Sequence, residues 1–174
     1  MNQDHQTLPV PSRGASPVQA LPRPRVLVVD DTEDNLFLMT GLLEDKYDLL
    51  LASSGKEALA IIMSQAPPDL ILLDIMMPEM DGYEVLRRIR QHPPTATIPV
   101  IFLTALSTME EEQLGLDLGA VDYITKPISP PLLLTRVQSH LERSGNARRL
   151  QALSEKLSRY LAPQVYQSLF DGSH

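Results

Sequence analysis

Asp30-Asp31, Asp74, Thr104 and Lys126 are the residues whose types call for a common chemical explanation. Three carboxylates held close together repel one another and raise one another's pKa. A hard divalent cation removes that cost. Mg²⁺ prefers oxygen ligands, keeps several waters and commonly uses one or two carboxylates. With no Cys or His in the pattern, Mg²⁺, with Mn²⁺ as the alternative, fits better than zinc. A carboxylate beside such a cation and an ammonium can attack a phosphoryl donor and form an acyl phosphate. The cation and Lys126 would neutralise the equatorial oxygens of the transferring group, and Thr104 could hydrogen-bond one of them afterwards.

The reading requires that these residues meet, and the pattern around them predicts how. Val26–Val29 is an unbroken apolar run of the kind buried on both faces of a parallel sheet, and it ends in Asp30-Asp31. Thr32 is the expected N-cap of a first helix with Leu36, Met39, Leu42 and Leu43 at helical spacing. Tyr47–Ala52 reads as a second strand; Ser54 caps a second helix with Ala58, Leu59, Ile61 and Ile62 apolar, stopped by Pro67-Pro68. Leu70–Leu73 is a third strand ending in Asp74, and Gly82–Gln91 a third helix closed by Pro93-Pro94. Pro99–Thr104 and Met109–Leu118 form the fourth pair, closed by Gly119. Val121–Ile124 is the fifth strand, and Ser129 or Pro130 opens a fifth helix with Leu134, Val137 and Leu141 apolar. Five strands alternating with five helices make an α/β fold, a five-stranded parallel sheet covered on both faces. Right-handed crossovers favour the doubly wound, flavodoxin-like order 2-1-3-4-5, in which ligands bind beyond the carboxyl ends of the strands. Asp30, Asp31, Asp74 and Thr104 then share one rim, and Lys126 reaches it from just past strand five.

The chain has 174 residues, 43% hydrophobic, a formal net charge of -7 and no cysteine. Disulfides and thiolate metal sites are excluded, and no apolar run reaches the length of a membrane span. The acidic balance argues against non-specific contact with nucleic acid or anionic membrane, and a cytoplasmic location is expected. Arg143, Arg148 and Arg149 gather on a helix, where such short runs form a solvated face. His92 and His140 lie away from the predicted rim and are assigned no role. Residues 1–24 are rich in Pro and Ser without a period and read as a disordered leader.

The marks now assembled resemble a family. Asp30-Asp31 after strand one, Asp74 within Leu73-Asp74-Ile75-Met76-Met77-Pro78-Glu79-Met80-Asp81-Gly82, Thr104-Ala105 after strand four and Lys126-Pro127 after strand five are similar to the response-regulator receiver domain of two-component systems. The resemblance covers residues 25–143. It implies a signalling switch rather than an enzyme, in which Asp74 accepts a phosphoryl group from a sensor histidine kinase or phosphotransfer protein. It implies that Asp31 ligates Mg²⁺ directly, that Asp30 helps through water, and that Asp74 and the backbone carbonyl of Met76 complete the protein ligands. Lys126 is expected to pair with the phosphoryl group, with a cis Lys126–Pro127 bond. Thr104 and Tyr123 match the family's switch pair, acting through the fourth helix, fifth strand and fifth helix. Taken singly, each mark has a plainer use: a doubled Asp can cap a helix, Lys126 can be a surface lysine and Tyr123 can be static packing.

Residues 144–174 read as a helical connector to an output domain. After Ser144-Gly145-Asn146, where Gly145 is expected to kink or break the helix, Leu150, Leu153, Leu157, Tyr160 and Leu161 follow at coiled-coil spacing and predict a parallel homodimer. Pro163 ends that helix or opens the next, and Gln164–Phe170 forms a further short one. The run Leu157–Tyr166 resembles the connector that precedes class III nucleotide cyclase domains. A nucleic-acid-binding output is not expected after the receiver segment, where about 30 residues leave no room for a helix-turn-helix domain. Two other readings compete. An Mg²⁺-dependent phosphatase with an Asp nucleophile, of the dehalogenase type, typically carries a second acid two positions on, where this chain has Met76. A single-domain adaptor with a vestigial site conflicts with the complete set of acidic, hydroxyl and lysine residues.

Overall fold

The structure, a computed structural model, describes residues 22–105 and 108–160. The leader through residue 21, Leu161 and the 163–170 segment lie outside the described residues. Five parallel strands, β1 (Arg25–Val29), β2 (Asp48–Ala52), β3 (Leu70–Asp74), β4 (Val100–Thr104) and β5 (Asp122–Thr125), form one sheet in the order β2-β1-β3-β4-β5. Helices α1 (Glu33–Leu43), α2 (Gly55–Ile62), α3 (Gly82–Gln91), α4 (Met109–Asp117) and α5 (Pro130–Tyr160) follow the strands in turn. This is the doubly wound order that the alternation predicts.

The strand period of two divides the core. Leu27, Val29, Ile71, Leu73, Val100 and Phe102 face one side and pack with Ala58, Ile62, Val85, Leu86 and Ile89. Val26, Val28, Leu70, Leu72, Ile101 and Leu103 face the other and pack with Met39, Leu43, Leu133 and Val137. Burying each large side chain contributes about 1.5–3 kcal/mol. The central strands are thereby fixed, and the acids that end them are held at one edge.

Several local expectations need correction. Thr32 occupies the N-cap of α1, but its side chain makes no cap bond; its backbone amide instead donates to Asp30 Oδ1 at 2.9 Å. An aspartate that accepts from the amide two residues later forms a local turn just ahead of the helix. Helix α2 ends at Ile62, before Pro67-Pro68, and the Ser64 hydroxyl donates to Ile61 O at 2.6 Å, which satisfies a terminal carbonyl. Gly145 does not break the helix: α5 is one helix of 31 residues. Glycine costs a helix only about 1 kcal/mol relative to Ala. Contacts on both sides outweigh that here, with Leu141 packed on the core and Arg148 donating to Asp69 at 3.3 Å. His140, assigned no role above, is buried and its Nε2 lies 2.9 Å from Asp122 Oδ2.

Asp122 ties α5 to the sheet. It accepts from Arg136 at 2.8 and 2.7 Å besides its contact with His140. Burial pushes the Asp122 carboxyl up, but hydrogen bonds from His140, Arg136 and the Tyr123 amide, with the Arg136 charge, bring it below its ordinary value. The folded value is lower than the unfolded one. This stabilisation is therefore complete above the unfolded carboxylate value of about 3.9 and is lost as pH falls from there through the folded value. Asp122→Asn is expected to cost about 1–3 kcal/mol near neutral pH and to flatten the acid limb of urea stability below about pH 4. Equal acid limbs in the two proteins would contradict the assignment. A second prediction concerns Gly82, where a Cβ would stand 2.5 Å from the Asp74 carbonyl oxygen and 2.8 Å from Ile75 Cα. Both obstacles are backbone, so Gly82→Ala should lower stability by about 1–3 kcal/mol in urea unfolding; an unchanged midpoint would show that the β3–α3 turn yields.

Candidate functional site

Asp30 and Asp74 sit at the carboxyl ends of neighbouring strands, so the register of β1 on β3 sets their separation. Both are nearly out of solvent, at 1% and 5% exposure, while Asp31 is exposed. One ligand oxygen from each of Asp30, Asp31 and Asp74 falls within 4.8 Å of the others. The Lys126 ammonium lies 3.0 Å from Asp30 Oδ2 and 3.3 Å from Asp74 Oδ2, from a loop that a cis Lys126–Pro127 bond shapes. Its backbone amide donates to Thr104 O at 2.7 Å, which fastens this loop to the end of β4.

The two buried aspartates are built alike. Asp30 Oδ1 accepts from the Thr32 amide, and Asp74 Oδ1 from the Met76 amide at 3.3 Å. In each case one oxygen is spent on the turn after the strand and the other faces Lys126. Asn35, on the first turn of α1, also donates to Asp30 Oδ2 at 3.2 Å. Sequence patterning did not single out Asn35, because a lone polar residue in an acidic first turn carries no spacing signal.

Electrostatics follow from burial and crowding. Burial raises the Asp74 carboxyl above its ordinary value; Lys126 opposes this, Asp30 adds to it, and the net shift is upward. Burial alone would lower the Lys126 ammonium, but the hydrogen bond to Asp30 and the charges of Asp74 and Asp30 raise it overall. One ammonium thus serves more than one carboxylate, and the rim retains excess negative charge. An all-oxygen donor set with an exposed carboxylate on its outer side suits a hard divalent cation that keeps part of its water shell.

Thr104 is fully buried at the end of β4, and a side-chain hydrogen bond joins it to Tyr123 on the neighbouring strand. The structure therefore brings together Asp30, Asp31, Asp74, Lys126 and Thr104, with Tyr123 one hydrogen bond further out. Met76 occupies the same turn, with its side chain exposed and its amide on Asp74.

Comparison with known proteins agrees with this architecture. Residues 26–138 match the family model of the response regulator receiver domain. The chain is 55% identical over 117 residues to the "Probable cyclic di-GMP phosphodiesterase" of Vibrio cholerae serotype O1, covering 67% of this chain and 26% of that protein. It is 44% identical over 116 residues to the response regulator PleD of Caulobacter vibrioides, covering 66% and 25%. The chain thus spans about a quarter of the length of these two relatives. The chemotaxis protein CheY4 of Vibrio cholerae superposes with a TM-score of 0.64 at 32% identity, covering 67% of this chain and 98% of that structure. The family is one of signalling switches phosphorylated by histidine kinases, not of metabolic enzymes. With the family model matched over most of its length and the acidic rim in place, the chain belongs to the response-regulator receiver domains of two-component systems.

Proposed function

We propose that Asp74 is the phosphoacceptor of this receiver and that Asp30, Asp31, Asp74 and the Met76 carbonyl hold Mg²⁺ beside it. The observation that carries the reading is the Lys126 ammonium between Asp30 and Asp74, with Asp31 at the same rim. An Asp74 carboxylate oxygen attacks the phosphorus of a phosphohistidine donor; the new O–P bond forms as the N–P bond breaks, and the imidazole leaves. Bound Mg²⁺ supplies the positive charge that the carboxylates and the phosphoryl oxygens both require. Lys126 stays close through the transfer and pairs with the phosphoryl group. The product carries about -1.5 to -2 charges and strong acceptor oxygens, which draw the Thr104 hydroxyl away from Tyr123.

The response runs through α4, β5 and α5 to the C-terminal part of the long helix. Leu133, Val137, His140 and Arg148 lie on the stripe of α5 that faces its own domain. Leu150, Leu153, Leu157 and Tyr160 are exposed, at 67%, 55%, 40% and 86%, and at 3.6 residues per turn their stripe lies about 180° away. A second copy, parallel and in register, covers such a stripe without displacing the first contact. Residues 144–174 then connect the receiver of residues 25–143, which follows the leader of residues 1–24, to a further domain. Both relatives extend well beyond the matched segment, which supports an output there, a nucleotide cyclase or another cyclic-nucleotide enzyme. No helix among the described residues is long and apolar enough to cross a membrane, and the reading places the protein in the cytoplasm without direct contact with nucleic acid.

Two experiments test this reading. With Mg²⁺ and a phosphohistidine donor, the unaltered chain should gain one phosphoryl group and Asp74→Asn none. Lys126→Ala should still bind Mg²⁺ but lose the conformational response. Phosphorylation of Asp74→Asn would contradict the assignment, and an undiminished response in Lys126→Ala would remove Lys126 from the coupling. Light scattering with Mg²⁺ and beryllofluoride should give a dimer that Leu153→Glu abolishes; a monomer under all conditions would remove the helix seam.

A further inference from the structure

Helix α4 sits on the sheet through a small contact. A Cβ at Gly115 would come 3.0 Å from the Phe102 ring and 3.9 Å from Tyr123, so the absence of a side chain is what lets α4 approach Phe102 so closely. Tyr83 of α3 packs against the same Phe102 ring in a T-shaped arrangement, with centroids 5.5 Å apart and planes at 70°. Between α3 and α4 runs an open groove of about 310 Å³, lined by Met80, Tyr83, Arg87, Leu114 and Leu118 among others. The face of α4 that carries Leu114 and Leu118 therefore has open space toward α3.

Two polar atoms on these helices are buried without a hydrogen-bond partner: the hydroxyl of Tyr83, which lines the groove, and one carboxylate oxygen of Glu111, in the first turn of α4. Buried polar groups in folded proteins are nearly always paired. One of these is a donor and the other an acceptor. The Glu111 charge acts on Tyr83 and also on Tyr123, so the carboxylate stands near both phenols. The three groups form a chain from Thr104 through Tyr123 to α4 and α3, with its last link open.

We infer that Tyr83 and Glu111 are a positioning pair for the switch: in the phosphorylated state α4 moves across the groove and the Tyr83 hydroxyl donates to the Glu111 carboxylate. The inference rests on the phosphoacceptor reading of Asp74. The trigger is Thr104. When its hydroxyl turns to the phosphoryl group, it leaves Tyr123, and the contact that holds α4 over Phe102 and Tyr123 loosens. The new bond, to a charged acceptor in a buried place, favours the shifted helix. Neither residue touches the phosphoryl group; both act through the position of α4.

The test is a double-mutant cycle on the full chain with Mg²⁺, reading the affinity for beryllofluoride and, separately, the thermal midpoint without it. Tyr83→Phe and Glu111→Met should each weaken beryllofluoride binding about tenfold, the worth of one charge-assisted hydrogen bond. The double variant should be no weaker than either single one. Glu111→Gln, which keeps an acceptor oxygen, should retain most of the affinity. Without beryllofluoride, Tyr83→Phe should leave the midpoint unchanged or raise it, because it removes an unpaired buried hydroxyl. Additive losses, unchanged affinities, or a midpoint that falls together with the affinity would overturn the pair. A wild-type chain indifferent to beryllofluoride would instead overturn the phosphoacceptor reading beneath it.

Discussion

The Lys126 ammonium, 3.0 Å from Asp30 and 3.3 Å from Asp74, makes it tolerable to end two adjacent buried strands in carboxylates. Without it, Asp30 and Asp74, both nearly closed to solvent, would face each other across neighbouring strand ends with their charges uncompensated, a costly arrangement in a protein interior. The cation comes from a loop whose own position depends on β5 and on the amide bond to Thr104 O. The sheet, the cis turn and the acids therefore form one construction. Its remaining negative charge, with Asp31 open to solvent, suits a divalent cation.

The same construction explains how a local event can reach distant parts. Thr104 is at once a neighbour of the site and the partner of Tyr123. Tyr123 follows Asp122, whose contacts with Arg136 and His140 hold α5, and it lies beneath Gly115 of α4. In the proposed switch, a change at one hydroxyl would reach two helices through a single short strand. Helix α5 runs unbroken through Gly145 and is fastened at Arg148, so in the proposed switch a tilt at its root would be carried to its exposed apolar stripe.

Much of this was legible in the sequence because buried parallel strands read as plain apolar runs, and the acids terminate them. Asp30, Asp74, Thr104 and Lys126 could be placed on one rim from strand ends alone, and the order of the sheet followed from the alternation. What was missed depends on contacts between distant positions. His140 reads as an ordinary helix residue until Asp122 is seen against it, 18 positions away. Asn35 bonds Asp30 with no periodic signature. Gly145 suggested a break, yet the tertiary contacts on either side of it outweigh its local cost. Thr32 looked like a hydroxyl cap, yet it holds the N-cap position without the cap bond.

The most direct measurement is the position of the phosphoryl group itself. The chain would be phosphorylated in Mg²⁺, the acyl phosphate reduced with borohydride, and the modified residue located by peptide mass spectrometry. The account predicts a single modified aspartate at position 74. Modification at Asp30, at Asp31 or outside the rim would contradict it, as would a phosphoryl group attached to anything other than a carboxylate.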